Sequence, residues 1–332
     1  MSNWYGKLIK FSTLLTLSVV ILGAYVRLSD AGLGCPDWPG CYGKLIPINI
    51  DASETILEFP ERPLESGKAW KEMVHRYFAS TLGFVILISA YLAWQNRKSV
   101  NQPVKIPIAT LFVVIFQGLL GMWTVTLLLK PIIVMAHLIG GLVTLSMLFW
   151  LWLEYERGQS KNKILKRSFK WPAGFMLLIL SCQIALGGWT SSNYAALACP
   201  DLPTCLGQWW PEEANFDEGF VMWRGLGVNY EFGILEAPAR VAIHFTHRLG
   251  AIFTTLILII TTIYYLRKNQ NQSKFRMASY FVWSALIIQI SLGLATVWWG
   301  LPLLVATAHN AVAALLLMAT INFNHVVTAE EE

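Results

Sequence analysis

The sequence predicts an all-α membrane protein: eight transmembrane helices, arranged as two pseudo-symmetric four-helix bundles in parallel orientation. Three observations carry that expectation. Hydrophobic residues make up 55% of the 332-residue chain and charged residues only 14%, against about 25% charged in a soluble domain. Apolar runs recur that approach or exceed the roughly 20 residues needed to span about 30 Å of hydrocarbon. A polar stretch, Glu72-Met73-Val74-His75-Arg76, returns 172 residues later as His244-Phe245-Thr246-His247-Arg248.

Taken in order, the apolar runs place helices near 8–28, 71–95, 106–128, 132–154, 171–191, 239–266, 276–299 and 302–324. Lys7 and Lys10 precede the first run and Ser29-Asp30-Ala31 follows it, as in a cleaved signal peptide. Its length, and the internal counterpart it has in the fifth run, argue for a retained helix. Nothing in the chain has the short alternating strands of a barrel. Arg157, Lys161, Lys163, Lys166, Arg167 and Lys170 crowd the 155–170 connection. Arg97, Lys98, Arg267, Lys268, Lys274 and Arg276 flank other short connections on that side, whereas the long loops 29–70 and 192–238 are acidic by comparison. Positive loops stay in the cytoplasm. Both termini are therefore expected in the cytoplasm, and the long loops outside, in the periplasm if the host is a bacterium with this chain in its inner membrane. The net charge of +5 sits in these flanking loops and implies no nucleic acid.

The repeat extends beyond the first motif. Gln117-Gly118-Leu119-Leu120-Gly121 matches Gln289-Ile290-Ser291-Leu292-Gly293. Gly23 precedes Cys35 by 12 residues, as Gly187 precedes Cys199. The chain thus divides into an N-terminal half at 1–154, a cytoplasmic linker at 155–170 and a C-terminal half at 171–332. Four helices per half is an even number, so both halves insert with the same orientation, related by an axis along the membrane normal. Cys35-Pro36-Asp37-Trp38-Pro39-Gly40-Cys41 matches Cys199-Pro200-Asp201-Leu202-Pro203-Thr204-Cys205. Both pairs lie on the oxidising side, where disulfides persist, so Cys35–Cys41 and Cys199–Cys205 are expected to be bonded. A redox-active dithiol stays open. A zinc site lacks ligands, since loop 29–70 offers no histidine. Cys182, inside the fifth helix, reads as a small packing residue.

Ionisable residues within membrane segments are rare and default to function. Four histidines stand in register: His75 to His137 is 62 residues, and so is His247 to His309. All four enter from the outer side at a similar depth, on what the chain order suggests are neighbouring helices of each half. Two imidazoles facing across a bundle core suit the axial positions of a haem iron; each half supplies too few such side chains for a zinc or copper cluster. Arg76 and Arg248, one residue on, are candidates for haem propionates or for snorkelling at the interface. Gly140, Gly141, Gly250, Ala311, Ala313 and Ala314 lie near the ligands in sequence and could admit a flat ring, or simply serve helix packing. His325 has no counterpart and looks incidental. His244, three residues before His247, competes with it as a ligand, but the shared His-Arg pair and the spacing favour His247. The counterpart of His244 is Glu72, the one conspicuous asymmetry between the halves.

The eight helices in two halves, the Glu-x-x-His-Arg motif, the four histidines and the two cysteine pairs together resemble the haem A synthase family, over residues 8–324. That resemblance implies oxidation of the C8 methyl of haem O to a formyl group, by successive hydroxylation and dehydration, giving the haem A of cytochrome c oxidase. It implies a permanent haem b on His247 and His309 as cofactor, and haem O as substrate on His75 and His137 with Glu72 beside it. A haem O synthase would be the donor; a homo-oligomer stays open. Glu72 could accept a proton or stabilise positive charge at the methyl carbon, or be a structural partner of Arg76. Two rival functions remain. A di-haem electron-transfer cytochrome needs histidines at two depths. A haem carrier or exporter would bind the same ring without making product.

Overall fold

The computed structural model describes residues 3–48, 50–99, 102–159, 170–270 and 272–328. The expected linker 155–170, including Lys161, Lys163, Lys166 and Arg167, falls mostly outside the described residues. In chain order the helices are α1 (Asn3–Leu28), a short α2 (Ala52–Glu58), α3 (Ser66–Gln95), α4 (Lys105–Thr126) and α5 (Pro131–Gln159), then α6 (Trp171–Ser192), a short α7 (Phe216–Gly219), α8 (Ala237–Lys268), α9 (Ser273–Trp298) and α10 (Leu303–Val327). Eight of them are long and apolar enough to cross a membrane, and no strand occurs among the described residues. Helix α1 starts at Asn3 and α3 at Ser66, earlier than hydropathy suggests. A polar first turn can be helical without entering hydrocarbon, and hydropathy marks only the hydrocarbon.

Outer faces are apolar and exposed, at Phe84, Phe112, Phe116, Phe253, Ile287 and Ile288 among others, as lipid-facing surfaces must be. Inside α1, the buried Ser12, Thr13 and Thr16 donate to the carbonyls of Leu8, Ile9 and Ser12. Their hydroxyls are thus satisfied within the helix, which a bilayer core requires.

Helices α1, α3, α4 and α5 form a closed ring in which each touches the next, and α6, α8, α9 and α10 form a second. The halves meet where α1 packs on α10, α5 on α6, and α5 on α10. Exchanging the halves maps these contacts onto one another, a pattern consistent with the pseudo-twofold relation expected. Leu142 and Leu145 of α5 share one core with Met176 and Leu180 of α6, Leu258 of α8 and Leu317 of α10. The turns that launch α5 and α10 also match. Leu128 and Leu129 (φ 52° and 58°) correspond to Gly300 and Leu301 (φ 66° and 63°). The Leu129 and Leu301 N–H groups close them onto the carbonyls of Thr124 and Thr296, at 2.8 and 2.7 Å.

The halves are tied at both ends. At the hairpin end, Lys130 is only 1% exposed. Its Nζ donates to the carbonyls of Arg224 at 2.5 Å and Gly225 at 3.3 Å, 3.5 Å from the Trp223 ring centroid. Burial lowers the Lys130 pKa below the usual lysine value. Arg27 of α1 donates to the Ser191 carbonyl at 2.7 Å and stacks 4.1 Å over the Tyr194 ring. At the opposite end His325 of α10 lies 3.2 Å from the Glu154 carboxylate of α5 and edge-on to Trp150 at 5.2 Å. His325 is therefore an inter-half tie rather than incidental; its partner lies 171 residues away, where no sequence repeat points. Cys182 is likewise corrected: it is exposed, on the outward face of α6, and not packed inside.

Candidate functional site

The site begins with two hairpins above the rings. Each C-x5-C segment is closed by a disulfide, Cys35–Cys41 and Cys199–Cys205. Cys41 and Lys44 exchange backbone hydrogen bonds, as do Cys205 and Gln208. The turn residues Tyr42-Gly43 and Leu206-Gly207 all have positive φ, a geometry that glycine adopts without steric cost. The motif aspartate secures it. Asp37 accepts the N–H groups of Tyr42 at 2.6 Å and Gly43 at 3.0 Å. Asp201 accepts those of Leu206 at 2.7 Å and Gly207 at 3.0 Å. The Thr204 hydroxyl, aided by the Gly207 and Leu206 N–H groups, pulls the Asp201 pKa down to about 2.

The arginines after the histidines clamp these hairpins. Arg76 donates to the carbonyls of Asp37, Pro39 and Gly40 at 3.1, 3.2 and 2.7 Å, and pairs with Glu72 one turn before it. Arg248 donates to Asp201, Thr204 and Cys199 carbonyls at 2.8, 2.8 and 2.5 Å. A planar guanidinium with five N–H donors suits such a cluster of carbonyls. Considered from sequence as propionate partners, both arginines are engaged here with the hairpin backbone.

Glu72 and His244 lie beneath the hairpins, each only 4% exposed. The Glu72 carboxylate accepts the Cys35 N–H at 2.9 Å besides its pairing with Arg76. His244 accepts the Cys199 N–H at 3.2 Å through Nδ1, and Arg248 Nε lies 3.3 Å from its Nε2. With Nδ1 engaged by the Cys199 N–H, His244 belongs to the hairpin rather than to the ring interior.

His75, His137, His247 and His309 differ: each is only part-buried; His75 and His247 follow the hairpin anchors Glu72 and His244 by about one turn, and His137 and His309 lie nearly two turns into α5 and α10. His75 on α3 and His137 on α5 do not sit on neighbouring helices, as chain order suggested, but on opposite corners of the first ring; His247 on α8 and His309 on α10 do the same in the second. Each ring rests on a glycine of the next helix. A Cβ added at Gly23, Gly121, Gly187 or Gly293 would lie 3.0, 3.3, 3.2 or 3.1 Å from Cε1 of His75, His137, His247 or His309 respectively. Only a glycine lets the backbone approach the imidazole so closely.

This arrangement fits a flat tetrapyrrole between opposed imidazoles in each half. Nδ1 of His75, His137 and His309 is fully buried with no hydrogen-bond partner, a costly state in a membrane core. Among the described residues no three His, Cys, Asp or Glu side chains gather as a protein-only metal site would need. A haem supplies four equatorial nitrogens itself and asks the protein only for the axial pair. Sequence reasoning missed the backing glycines as such. Gly140 and Gly250, singled out there, face the side chains of Gln117 and Gln183 instead, and Gly141 faces Val20.

The fold and site define a class: a polytopic helical membrane protein with one pair of opposed, glycine-backed histidines in each four-helix half. Residues 7–321 match the COX15-CtaA family, described as cytochrome oxidase assembly protein, and the chain belongs to that family. It is 42% identical over 321 residues to the haem A synthase of Shewanella oneidensis, covering 96% of this chain and 95% of the relative. It is 27% identical over 316 residues to the haem A synthase of Halalkalibacterium halodurans, covering 92% of each. The haem A synthase of Alkalihalophilus pseudofirmus is 26% identical over 316 residues, 94% of this chain and 93% of the relative.

Proposed function

We propose that this chain is a haem A synthase of a bacterial inner membrane, oxidising the C8 methyl of haem O to a formyl group for cytochrome c oxidase biogenesis. The observation that carries this reading is the pair of opposed, glycine-backed histidines in each ring. Two equivalent haem sites on one chain suit a protein that acts on one haem with the help of another. His247 and His309 would hold haem b, which when bound supplies one-electron redox chemistry. His75 and His137 hold the substrate haem O by its iron and so fix where its edge lies. Glu72 precedes His75 by one turn of the same helix and brings a carboxylate to that side of the first ring. Its role in this reading is to take up a proton, or to stabilise positive charge, at the reacting methyl. Arg76 and the Cys35 N–H keep that carboxylate in place. Methyl to formyl is a four-electron oxidation that also inserts oxygen, so an external oxidant and electron acceptor take part. A haem O synthase in the same membrane is the donor, and positive-inside loops put both termini in the cytoplasm.

The test is chromatography of haems extracted from cells that make haem O, with and without this protein. Haem A appearing only with the protein is the expected result. Haem O bound to the protein but unchanged would make it a carrier.

A further inference from the structure

Each disulfide hairpin ends in a pair of bulky apolar side chains. Leu45-Ile46 follows Cys41 at the distance at which Trp209-Trp210 follows Cys205, and the proline after each pair, Pro47 or Pro211, is buried. All four apolar residues are more than half exposed. The repeat thus keeps the size and apolarity of these side chains while changing their identity.

The tips are fixed to the flanks of α3 and α8. The Tyr77 hydroxyl donates to the Leu45 carbonyl at 2.6 Å, and the Trp210 ring meets Phe245 edge-on at 5.2 Å. Two turns further along the same helix faces stand Phe84 and Ile252, both exposed on the lipid-facing surface. The level also fits. Helices α3 and α8 have 30 and 32 residues, longer than the roughly 20 that cross the hydrocarbon. Counted back from Gln95 and Lys268, that span ends at Arg76 and Leu249, beside the two tips. At the hairpin-side end of α9 stand the exposed Trp298 and Trp299, and tryptophan concentrates where hydrocarbon meets water.

We infer that Leu45-Ile46 and Trp209-Trp210 form a lipid-docking surface, with both hairpin tips seated in the headgroup layer of the near leaflet. The partner is the glycerol and upper acyl region of phospholipid, which takes large apolar side chains and suits the indole ring with its single N–H. Helices α3 and α8 belong to different halves. A bilayer surrounds the whole chain and meets both tips at one level, whereas a partner protein would have to reach both flanks. The seating bears on the site, because the same hairpins anchor Glu72 and His244 through the Cys35 and Cys199 N–H groups. It is independent of which haem either ring holds.

The experiment is hydroxyl-radical footprinting of the full chain in nanodiscs of phosphatidylethanolamine and phosphatidylglycerol, one copy in each, read by mass spectrometry. Trp209 is 77% exposed, and Trp70, about 9 Å further out along α3 than Arg76, is 37% exposed. Exposure within the protein alone makes Trp209 the faster to oxidise. Seated in lipid, Trp209 and Trp210 should instead oxidise several-fold more slowly than Trp70. A phospholipid carrying a diazirine near its headgroup should, on irradiation, label segments 42–46 and 206–210. Trp209 oxidising faster than Trp70, or label missing from either segment, would overturn the inference. Protection that needs two copies in one nanodisc would assign the tips to a second copy, and protection found only in native membranes would assign them to a partner protein. Either result would overturn the lipid surface as well.

Discussion

Glu72 accepts the Cys35 N–H at 2.9 Å, and His244 accepts the Cys199 N–H at 3.2 Å. The two side chains do the same anchoring in the two halves, each one turn before the arginine that clamps its hairpin. A carboxylate and an imidazole thus share one structural duty, and what differs is charge. That difference is where a reaction confined to one half would leave its mark.

Glu72→Gln tests it. The amide oxygen can still accept the Cys35 N–H, and Arg76 keeps its three hairpin carbonyls, so the fold and the haem b content should persist. Haem A output should fall about a hundredfold, the scale of a lost acid–base group, with haem O or its alcohol accumulating. Near-normal haem A, read from extracted haems, would reduce Glu72 to the anchoring role it shares with His244.

Asp201 gives a pH signature outside the membrane. Its pKa is lowered from 3.8 to about 2, so its ionised form stabilises the folded hairpin. That contribution is complete above the unfolded value and fades as pH falls toward the folded one. Asp201→Asn should lower the melting temperature at neutral pH. The gap to wild type should narrow between about pH 4 and pH 2, and a gap constant across that window would contradict the assignment.

Lys130 tests the tie between the halves. Lys130→Met keeps the stem but loses two carbonyl partners and the Trp223 contact. The loss should be on the order of 2 kcal/mol. Hydrogen exchange should quicken in residues 221–230, and unchanged protection there would show that the loop is held by something else.

Much of this was legible in the sequence, for a physical reason. Hydrocarbon imposes length and composition on every span, so the eight long helices stand out, while α2 and α7, short and set in polar loops, leave no such trace. The histidines were legible because a repeat doubles every signal. Their placement on opposite corners was not, since chain order says which helices follow one another and not which face across a ring. Gly23, Gly121, Gly187 and Gly293 appear in the repeat, yet small residues also serve ordinary packing, so only the 3.0–3.3 Å approach to the four imidazoles separates them from the rest.

In the proposed function one ring of this chain keeps its haem and the other converts one. The most direct measurement is therefore haem b content together with the haem A to haem O ratio, in His75→Ala and His247→Ala made in the same haem O-producing cells. His75→Ala should keep haem b and lose haem A; His247→Ala should lose the haem b signal itself. Haem b lost from His75→Ala and retained in His247→Ala would contradict the assignment of the two rings.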